Sequence, residues 1–176
     1  VRMSKRAGAI VNLQDVVDTV GTDVARFFYL NRKADAHLEF NIDLALKDDD
    51  ENPVYYLQYA YVRTVAILKK SVALEGLKDI TEDDIKHMTA TEYVLIKKII
   101  SLDTLLESIS HNYQVHLLTY YLLELSHLFH NYYHNNRVID VENIDQSRGR
   151  LLRVSLVKDA CERCLALMGV SKPEKM

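Results

Sequence analysis

Residues 52–74, NPVYYLQYAYVRTVAILKKSVAL, predict a long helix near the middle of the chain. Asn52 is a favourable N-cap residue. Pro53 suits the first helical position, because the N–H that proline lacks would have no partner there. The apolar side chains that follow recur every three to four residues, as on the buried face of a helix. We expect this helix to reach about Leu74, with Gly76 as its stop signal.

Three more long helices are predicted downstream. Thr89 and Glu92 form a capping box that begins one of them, because each side chain can satisfy a free backbone N–H. Apolar spacing predicts the others over about 114–136 and 147–168, the last one closed by Gly169. Each helix has about 20 residues and a length of ~30 Å. Four such helices with short connections predict an all-α helical bundle.

The residues before this bundle have shorter elements. The stretch 13–20 has helical spacing and ends at Gly21, and Thr22 is expected to cap a second short helix. The four consecutive carboxylates at 48–51 are typical of a solvated connection. We therefore divide the chain into a small, mostly helical module at 1–42, an acidic linker at 43–52 and a helical bundle at 53–176.

Composition restricts the function. With 22 basic and 25 acidic residues, the net charge is −3, so any nucleic acid must be recognised by local patches, shape and stacking. No apolar run is long enough for a membrane span, and no signal peptide is evident. Cys161 and Cys164 are too few for a disulfide scaffold, and a cytoplasmic location is expected. No glycine-rich phosphate loop follows a strand pattern, so we expect no Rossmann domain in this chain.

Several short motifs occur in the order typical of one enzyme family. They are MSKRAG at 3–8, GTDVARFF at 21–28, NPVYYLQYAYVR at 52–63, FHNYY at 129–133, and a C-terminus running from LMGV at 167–170 to PEKM at 173–176. The first resembles the KMSKS signature of class I aminoacyl-tRNA synthetases, and the whole set resembles arginyl-tRNA synthetases from that signature to the C-terminus. Because the chain begins inside a basic run, we expect it to be a piece of a longer protein.

The resemblance implies an activity for the parent protein. Arginyl-tRNA synthetases attach arginine to its tRNA through an arginyl-adenylate, using ATP and magnesium. Lys5, with Met3 and Ser4, would face the ATP phosphates in the full-length enzyme. Arg2 and Arg6 replace the first lysine and the last serine of the signature, which keeps or adds positive charge. The HIGH signature and its catalytic domain would lie upstream, so this piece is expected to bind RNA without catalysing and to need no cofactor itself.

The resemblance also implies which residues contact RNA. Residues 1–42 would contact the tRNA stem, and the bundle would bind the anticodon stem-loop of tRNA(Arg). Tyr59, Tyr133 and the terminal Met176 would build the anticodon-loop surface, with Arg63 and Arg137 as phosphate or base contacts beside them. Tyrosines suit this role, since proteins read unstacked bases by stacking aromatic rings on them. The expected partners are this RNA and the catalytic domain of the same chain, with a monomeric state and no membrane.

Other interpretations of the polar residues were considered. The C-terminal cations recur at helical spacing with acidic residues between them; most are expected to be solvated and a few to follow the tRNA backbone: Arg137, Arg148, Arg150, Arg153, Lys158 and Arg163. His127, His130 and His134 have a spacing that could ligate zinc, but no fourth ligand accompanies them, and we expect no metal site.

Two alternatives to RNA binding remain open. One is a helical protein–protein interaction module, which predicts an exposed apolar groove. The other is a metal-dependent enzyme built on the histidine-rich helix, which predicts bound zinc and unfolding by a chelator.

Overall fold

The computed structural model describes residues 12–72 and 88–176. Three short helices come first: α1 (Leu13–Val20), α2 (Thr22–Leu30) and α3 (Ile42–Ala45). Four long helices follow: α4 (Pro53–Ser71), α5 (Ala90–Asn112), α6 (His116–Asn135) and α7 (Ile144–Met168). The predicted all-α fold is confirmed, and none of the helices in the two described ranges is long and apolar enough to cross a membrane.

The N-terminus of α4 forms as the sequence predicts. The side-chain oxygen of Asn52 accepts a hydrogen bond from the N–H of Val54, and Pro53 occupies the first turn. The Asn52 amide group also donates to the carbonyls of Ala45 and Lys47, at 3.1 and 2.8 Å. Asn52 is only 4% exposed. It therefore caps α4 and fixes the preceding segment against it.

The predicted capping box of α5 and the predicted glycine end of α7 are also present. Thr89 accepts a hydrogen bond from the N–H of Glu92, and the Glu92 carboxylate accepts one from the N–H of Thr89. Asn143 caps the start of α7. The helix begins at Ile144, three residues before its predicted start at 147. Gly169 ends α7 with φ +64°, a conformation that glycine adopts with little strain.

The four long helices enclose one apolar core. Burial of apolar surface is the main stabilising contribution to such a core. Among its fully buried residues are Leu57 of α4, Leu95 of α5, Leu122, Leu125 and Phe129 of α6, and Val154, Val157 and Leu165 of α7. The thiols of Cys161 and Cys164 are free and buried in the same core, and burial raises the pKa of both.

The N-terminal helices pack directly on the bundle. Phe27 of α2 is fully buried in the main core, while a smaller cluster joins α1, α2 and α3 through Val16, Val20, Ala25 and Ala45. The Arg26 guanidinium donates to the carbonyl of Gly169 at the end of α7. Asp23 of α2 accepts hydrogen bonds from the backbone N–H and the hydroxyl of Ser171. The C-terminal segment therefore connects α2 to the bundle.

Three local predictions need correction. Thr22 is the first residue of α2 and not its cap. The N-cap position is occupied by Gly21, so no side chain caps this helix. The helix α4 ends at Ser71, a turn before the predicted end. The one-turn helix α3 was missed because four residues are too few for helical spacing to be recognised. Gly76 and the KMSKS-like loop with Lys5 lie outside the described residues.

Candidate RNA-binding surface

A cluster of aromatic and basic side chains lies where α4 and α6 pack side by side. Tyr59 and Arg63 are four residues apart on α4 and therefore share one face of that helix. On α6, His130 and Tyr133 are three residues apart and face α4. We call these four residues, together with Tyr55 and Tyr56 of α4, the aromatic cluster.

Arg63 is at the centre of the aromatic cluster. Its guanidinium carbon lies 4.4 Å from the ring centroid of Tyr59 and 4.8 Å from that of Tyr133. Its Nη2 donates to the Tyr59 hydroxyl at 2.5 Å, and its Nη1 lies 3.2 Å from Nδ1 of His130. A cation over a tyrosine ring contributes about 0.5–2 kcal/mol. Two rings and two hydrogen-bond partners therefore hold Arg63 in one position.

His130 is the second polar centre of the cluster. Burial, together with the positive charge of Arg63, lowers the pKa of His130 to about 4, and the opposing effect of the Tyr56 backbone is smaller. The imidazole is therefore neutral at pH 7, and its Nδ1 can accept a hydrogen bond from Arg63. The ring of His130 also packs against Tyr56 and Tyr59, with centroid distances of 4.6 and 5.7 Å.

The two predicted base-stacking tyrosines have different surroundings. Tyr59 is half-buried: its ring stacks with Tyr55 at 6.2 Å and with His130 at 5.7 Å, and Arg63 covers it from the next turn. Tyr133 contacts Arg63 and lies with its ring tilted against Phe129, at a centroid distance of 6.3 Å, and it remains 37% exposed. Tyr133 is therefore an exposed residue, whereas Tyr59 is half-buried and has three side chains against its ring.

A cleft adjoins Tyr133 on the side of the α6 C-terminus. Its volume is about 610 Å³. It is lined by Ile67, Lys70, Tyr133, His134, Asn135, Asn136, Arg137, Val138, Ile139 and Val141. These described lining residues combine four apolar side chains with two cations and two amides, and none of them is a carboxylate. Such a combination suits a ligand that carries both a flat apolar face and negative charge.

Arg137 lies on the rim of this cleft. Its side chain is exposed, with Nε donating to the carbonyl of Ile139 and Nη1 lying 3.9 Å from Asp140. Its own carbonyl accepts a hydrogen bond of 2.8 Å from Arg150 of α7. The hydrogen bond from Arg150 therefore fixes the backbone of Arg137, while the exposed Arg137 guanidinium can reach a phosphate.

A buried ionic network supports the rim. Glu92 and Arg153 are each 2% exposed, and Oε1 of Glu92 lies 3.3 Å from Nε of Arg150 and 3.9 Å from Nη1 of Arg153. The Tyr132 hydroxyl donates to the same oxygen. Although burial raises the pKa of Glu92, hydrogen bonds from Thr89 and the charge of Arg153 outweigh it, and the net pKa is lowered. The network connects α5, α6 and α7, and through Arg150 it reaches the backbone of Arg137.

The network corrects one sequence-based expectation. Arg153 is not solvated, and Arg150 is largely buried, because Glu92 of another helix lies close to both. Helical spacing alone does not show which charge a neighbouring helix presents. For Arg163 the expectation of a solvated cation is confirmed, since its exposed side chain pairs with exposed Asp103.

Met176 is not part of the aromatic cluster, but it follows a C-terminal segment that hydrogen bonds hold against α2 and α4. The carbonyl of Ser171 accepts a hydrogen bond of 3.1 Å from Gln58, the neighbour of Tyr59 on α4. Met176 lies beyond this anchor and is 46% exposed. The structure thus brings Tyr59, Arg63 and Tyr133 into contact, places Arg137 at the adjoining cleft, and leaves Met176 accessible at the surface.

The sequence had suggested His130 only as a metal ligand. In the structure its ring faces Arg63 and Tyr56, whereas His127 and His134 are exposed. Among residues 12–72 and 88–176, no three His, Cys, Asp or Glu side chains are grouped as metal ligands would be. The signal that could have found the role of His130 is its position beside Tyr133 on a helix predicted to face Tyr59 and Arg63.

Known proteins resemble the chain in sequence and in structure. Residues 57–176 match the model of the DALR anticodon binding domain. An arginine–tRNA ligase of Geobacter metallireducens is 42% identical over 180 residues, and one of Bacillus subtilis is 37% identical over 177; each match covers all of this chain and 32% of the relative. The chain therefore spans about a third of the length of these relatives.

Solved structures give the same result. A Campylobacter jejuni protein described as an arginyl-tRNA synthetase superposes with a TM-score of 0.83 and 30% identity, over 98% of this chain and 37% of that one. The arginyl-tRNA synthetase of Plasmodium falciparum superposes with a TM-score of 0.76 and 25% identity, over 94% of this chain and 29% of that one.

Proposed function

Since the chain belongs to the family of DALR anticodon-binding domains, we propose that its helical bundle binds the anticodon stem-loop of arginine tRNA. The relatives that match all of the chain are arginine–tRNA ligases, which supports arginine tRNA as the RNA. Membership of this family favours an RNA-binding role over a protein–protein interaction module.

We further propose the context in which this domain acts. The parent protein is an arginine–tRNA ligase that forms arginyl-adenylate from arginine and ATP with magnesium, in the cytoplasm and as a monomer. Lys5, with Met3 and Ser4, contacts the ATP phosphates, and the catalytic domain of the same chain supplies the other reacting groups. The bundle holds the anticodon end of the tRNA while the 3′ end reaches that catalytic domain.

The observation that carries the proposal is the aromatic cluster beside the cationic cleft. An anticodon loop exposes unstacked bases, and Tyr133 offers an exposed ring on which a base can stack. Arg137 and Lys70 line the adjoining cleft and can neutralise the phosphates on either side of that base. Because the chain carries a net charge of −3, this local patch, and not overall charge, must attract the RNA.

A binding titration at fixed salt tests the proposal. It compares an arginine tRNA transcript with the same transcript carrying a swapped anticodon. The protein variants are Tyr133→Ala, Tyr59→Ala and, as a matched control, Tyr93→Ala on the exposed face of α5. We expect the native anticodon to be preferred, the preference to be lost in the first two variants, and the control to bind normally. Equal, weak binding of both transcripts would contradict the proposal.

A further inference from the structure

We propose that Tyr59 and His130 are positioning residues that hold the Arg63 guanidinium against the ring of Tyr133, and that Tyr133 alone of the two tyrosines stacks on an RNA base. This inference rests on the proposed RNA-binding function. It assigns different roles to two tyrosines that the sequence treats alike. It also gives a role to a histidine that sequence analysis considered only as a metal ligand.

The surroundings of Tyr59 leave little ring area for a base. Tyr55 stacks on it from the preceding turn of α4, Arg63 covers it from the following turn, and His130 packs against it from α6. Its hydroxyl accepts the hydrogen bond from Nη2 of Arg63. A base could stack on Tyr59 only by displacing one of these neighbours. Its contacts are instead those of a residue that fixes Arg63.

The second fixed point of Arg63 is His130. Nδ1 of the neutral imidazole accepts from Nη1, so the two terminal nitrogens of the guanidinium are bound to different partners on different helices. A planar group held at both ends cannot rotate freely about its long side chain. The side-chain entropy that ordering Arg63 would cost on RNA binding has therefore already been lost on folding.

The consequence for Tyr133 is a supported ring. Its ring centroid lies 4.8 Å from the guanidinium carbon of Arg63, while over a third of the residue remains exposed. The cation beneath the ring draws electron density away from the outer face, which favours stacking of an electron-rich base there. The adjoining cleft then receives the next part of the RNA strand.

Photo-crosslinking identifies which tyrosine stacks. Anticodon hairpins carrying 5-iodouridine at single loop positions are bound to the native chain, irradiated, and the modified residue is mapped by mass spectrometry. We expect an adduct on Tyr133 and none on Tyr59. An adduct on Tyr59 would overturn the assignment. If the native chain fails to bind the hairpin in a prior titration, both the proposed function and this inference fail; binding with crosslinks at Tyr59 refutes the inference alone.

A variant series tests the positioning roles independently of crosslinking yield. Removing the ring in Tyr133→Leu should weaken hairpin binding ~5- to 150-fold, and Tyr133→Phe, which keeps the ring, should recover most of that loss; Tyr93→Ala is the control that should bind like the native chain. Tyr59→Phe keeps the ring and removes only the acceptor for Arg63. His130→Leu removes the other acceptor, and His130→Gln restores an oxygen that can accept. We expect Tyr59→Phe and His130→Leu to weaken binding about 3- to 10-fold, a typical loss for one hydrogen bond, and His130→Gln to recover part of it.

Coupling to Arg63 distinguishes positioning from general stability. If Tyr59 and His130 act through Arg63, then Tyr59→Phe and His130→Leu should have little further effect on binding in an Arg63→Met background. Additive losses in that background would overturn the inference. Thermal unfolding of each variant reports its folding separately, and 2-aminopurine in the loop reports stacking. At saturation its quenching should persist in Tyr59→Phe and be lost in Tyr133→Leu.

Discussion

Arg63 on α4 and Tyr133 on α6 meet with the guanidinium carbon 4.8 Å from the ring centroid, and this contact joins the two helices at the surface proposed to bind RNA. Both residues were expected at this surface from the sequence. The hydrogen bonds of Arg63 to Tyr59 and His130 were not.

Replacing Arg63 by lysine should weaken RNA binding although the charge is kept. A lysine ammonium has no planar fork, so it cannot contact the rings of Tyr59 and Tyr133 and also bond to two partners as Arg63 does. We expect Arg63→Lys to lower the affinity for an anticodon hairpin about tenfold, as measured by fluorescence anisotropy. An unchanged affinity would show that Arg63 acts only as a charge.

Removing Arg137 should change the salt dependence of binding. If its exposed guanidinium contacts one phosphate, Arg137→Ala should reduce the slope of log K against log salt by about one unit. The effect should be similar for native and swapped anticodons, because a phosphate contact carries no sequence information. Arg163→Ala, at an exposed arginine paired with Asp103, is the control and should leave the slope unchanged.

His130 should make the fold less stable as pH falls from about 6.5 toward 4. Its folded pKa is about 4, below the ordinary value of 6.5, so the unfolded chain takes up a proton in this window that the native chain does not. The contribution of His130 to the free energy of unfolding is complete above pH 6.5 and decreases as the pH falls through this window. Within the window the unfolded chain binds up to about one proton more than the native chain, and this difference sets the slope of stability against pH. Urea unfolding at several pH values should show a weaker pH dependence for His130→Gln than for the native chain. The same change at exposed His111 should alter it little.

Neutralising Glu92 should destabilise the bundle strongly. Glu92→Gln keeps the shape of the capping box but leaves the buried charge of Arg153 without its counterion. Breaking a buried pair in this way costs about 3–5 kcal/mol. The matched change Glu107→Gln, at an exposed site on the same helix, should alter the free energy of unfolding by less than about 0.5 kcal/mol. Similar small losses for both variants in chemical denaturation would refute a structural role for the network.

Asn52 should contribute more to stability than an ordinary helix cap. Asn52→Ala removes the cap of Val54 and leaves the carbonyls of Ala45 and Lys47 without their donor. We expect a loss of about 2 kcal/mol in the free energy of unfolding. Asn41→Ala, at the exposed cap of the short helix α3, is the comparison and should cost about half as much or less. Equal losses would mean that the two carbonyl contacts of Asn52 contribute nothing.

Local signals in the sequence located most of the fold. Asn52, Thr89 with Glu92, and Gly169 each act through neighbours within a few residues, and each helix boundary that they predicted is present. Contacts between helices were not predictable in this way. The burial of Arg153 against Glu92 and the pairing of His130 with Arg63 depend on how the helices are rotated in the bundle. Helical spacing identifies the face of a helix but not its partner.

The same limit explains what was missed at the candidate site. The tyrosine and arginine positions were found through family resemblance, but Tyr59 and Tyr133 seemed equivalent, since both are tyrosines on amphipathic helices. Only the packing shows that one ring is covered by Tyr55, His130 and Arg63 and the other is exposed.

Nuclease footprinting of a full arginine tRNA with the native chain tests the central claim most directly. If the bundle binds the anticodon arm, protection should be confined to the anticodon stem and loop, and Tyr133→Leu should need ~5- to 150-fold more protein to give the same protection. Protection of the acceptor stem or elbow with an unprotected anticodon loop, or no protection at saturating protein, would contradict the proposed function.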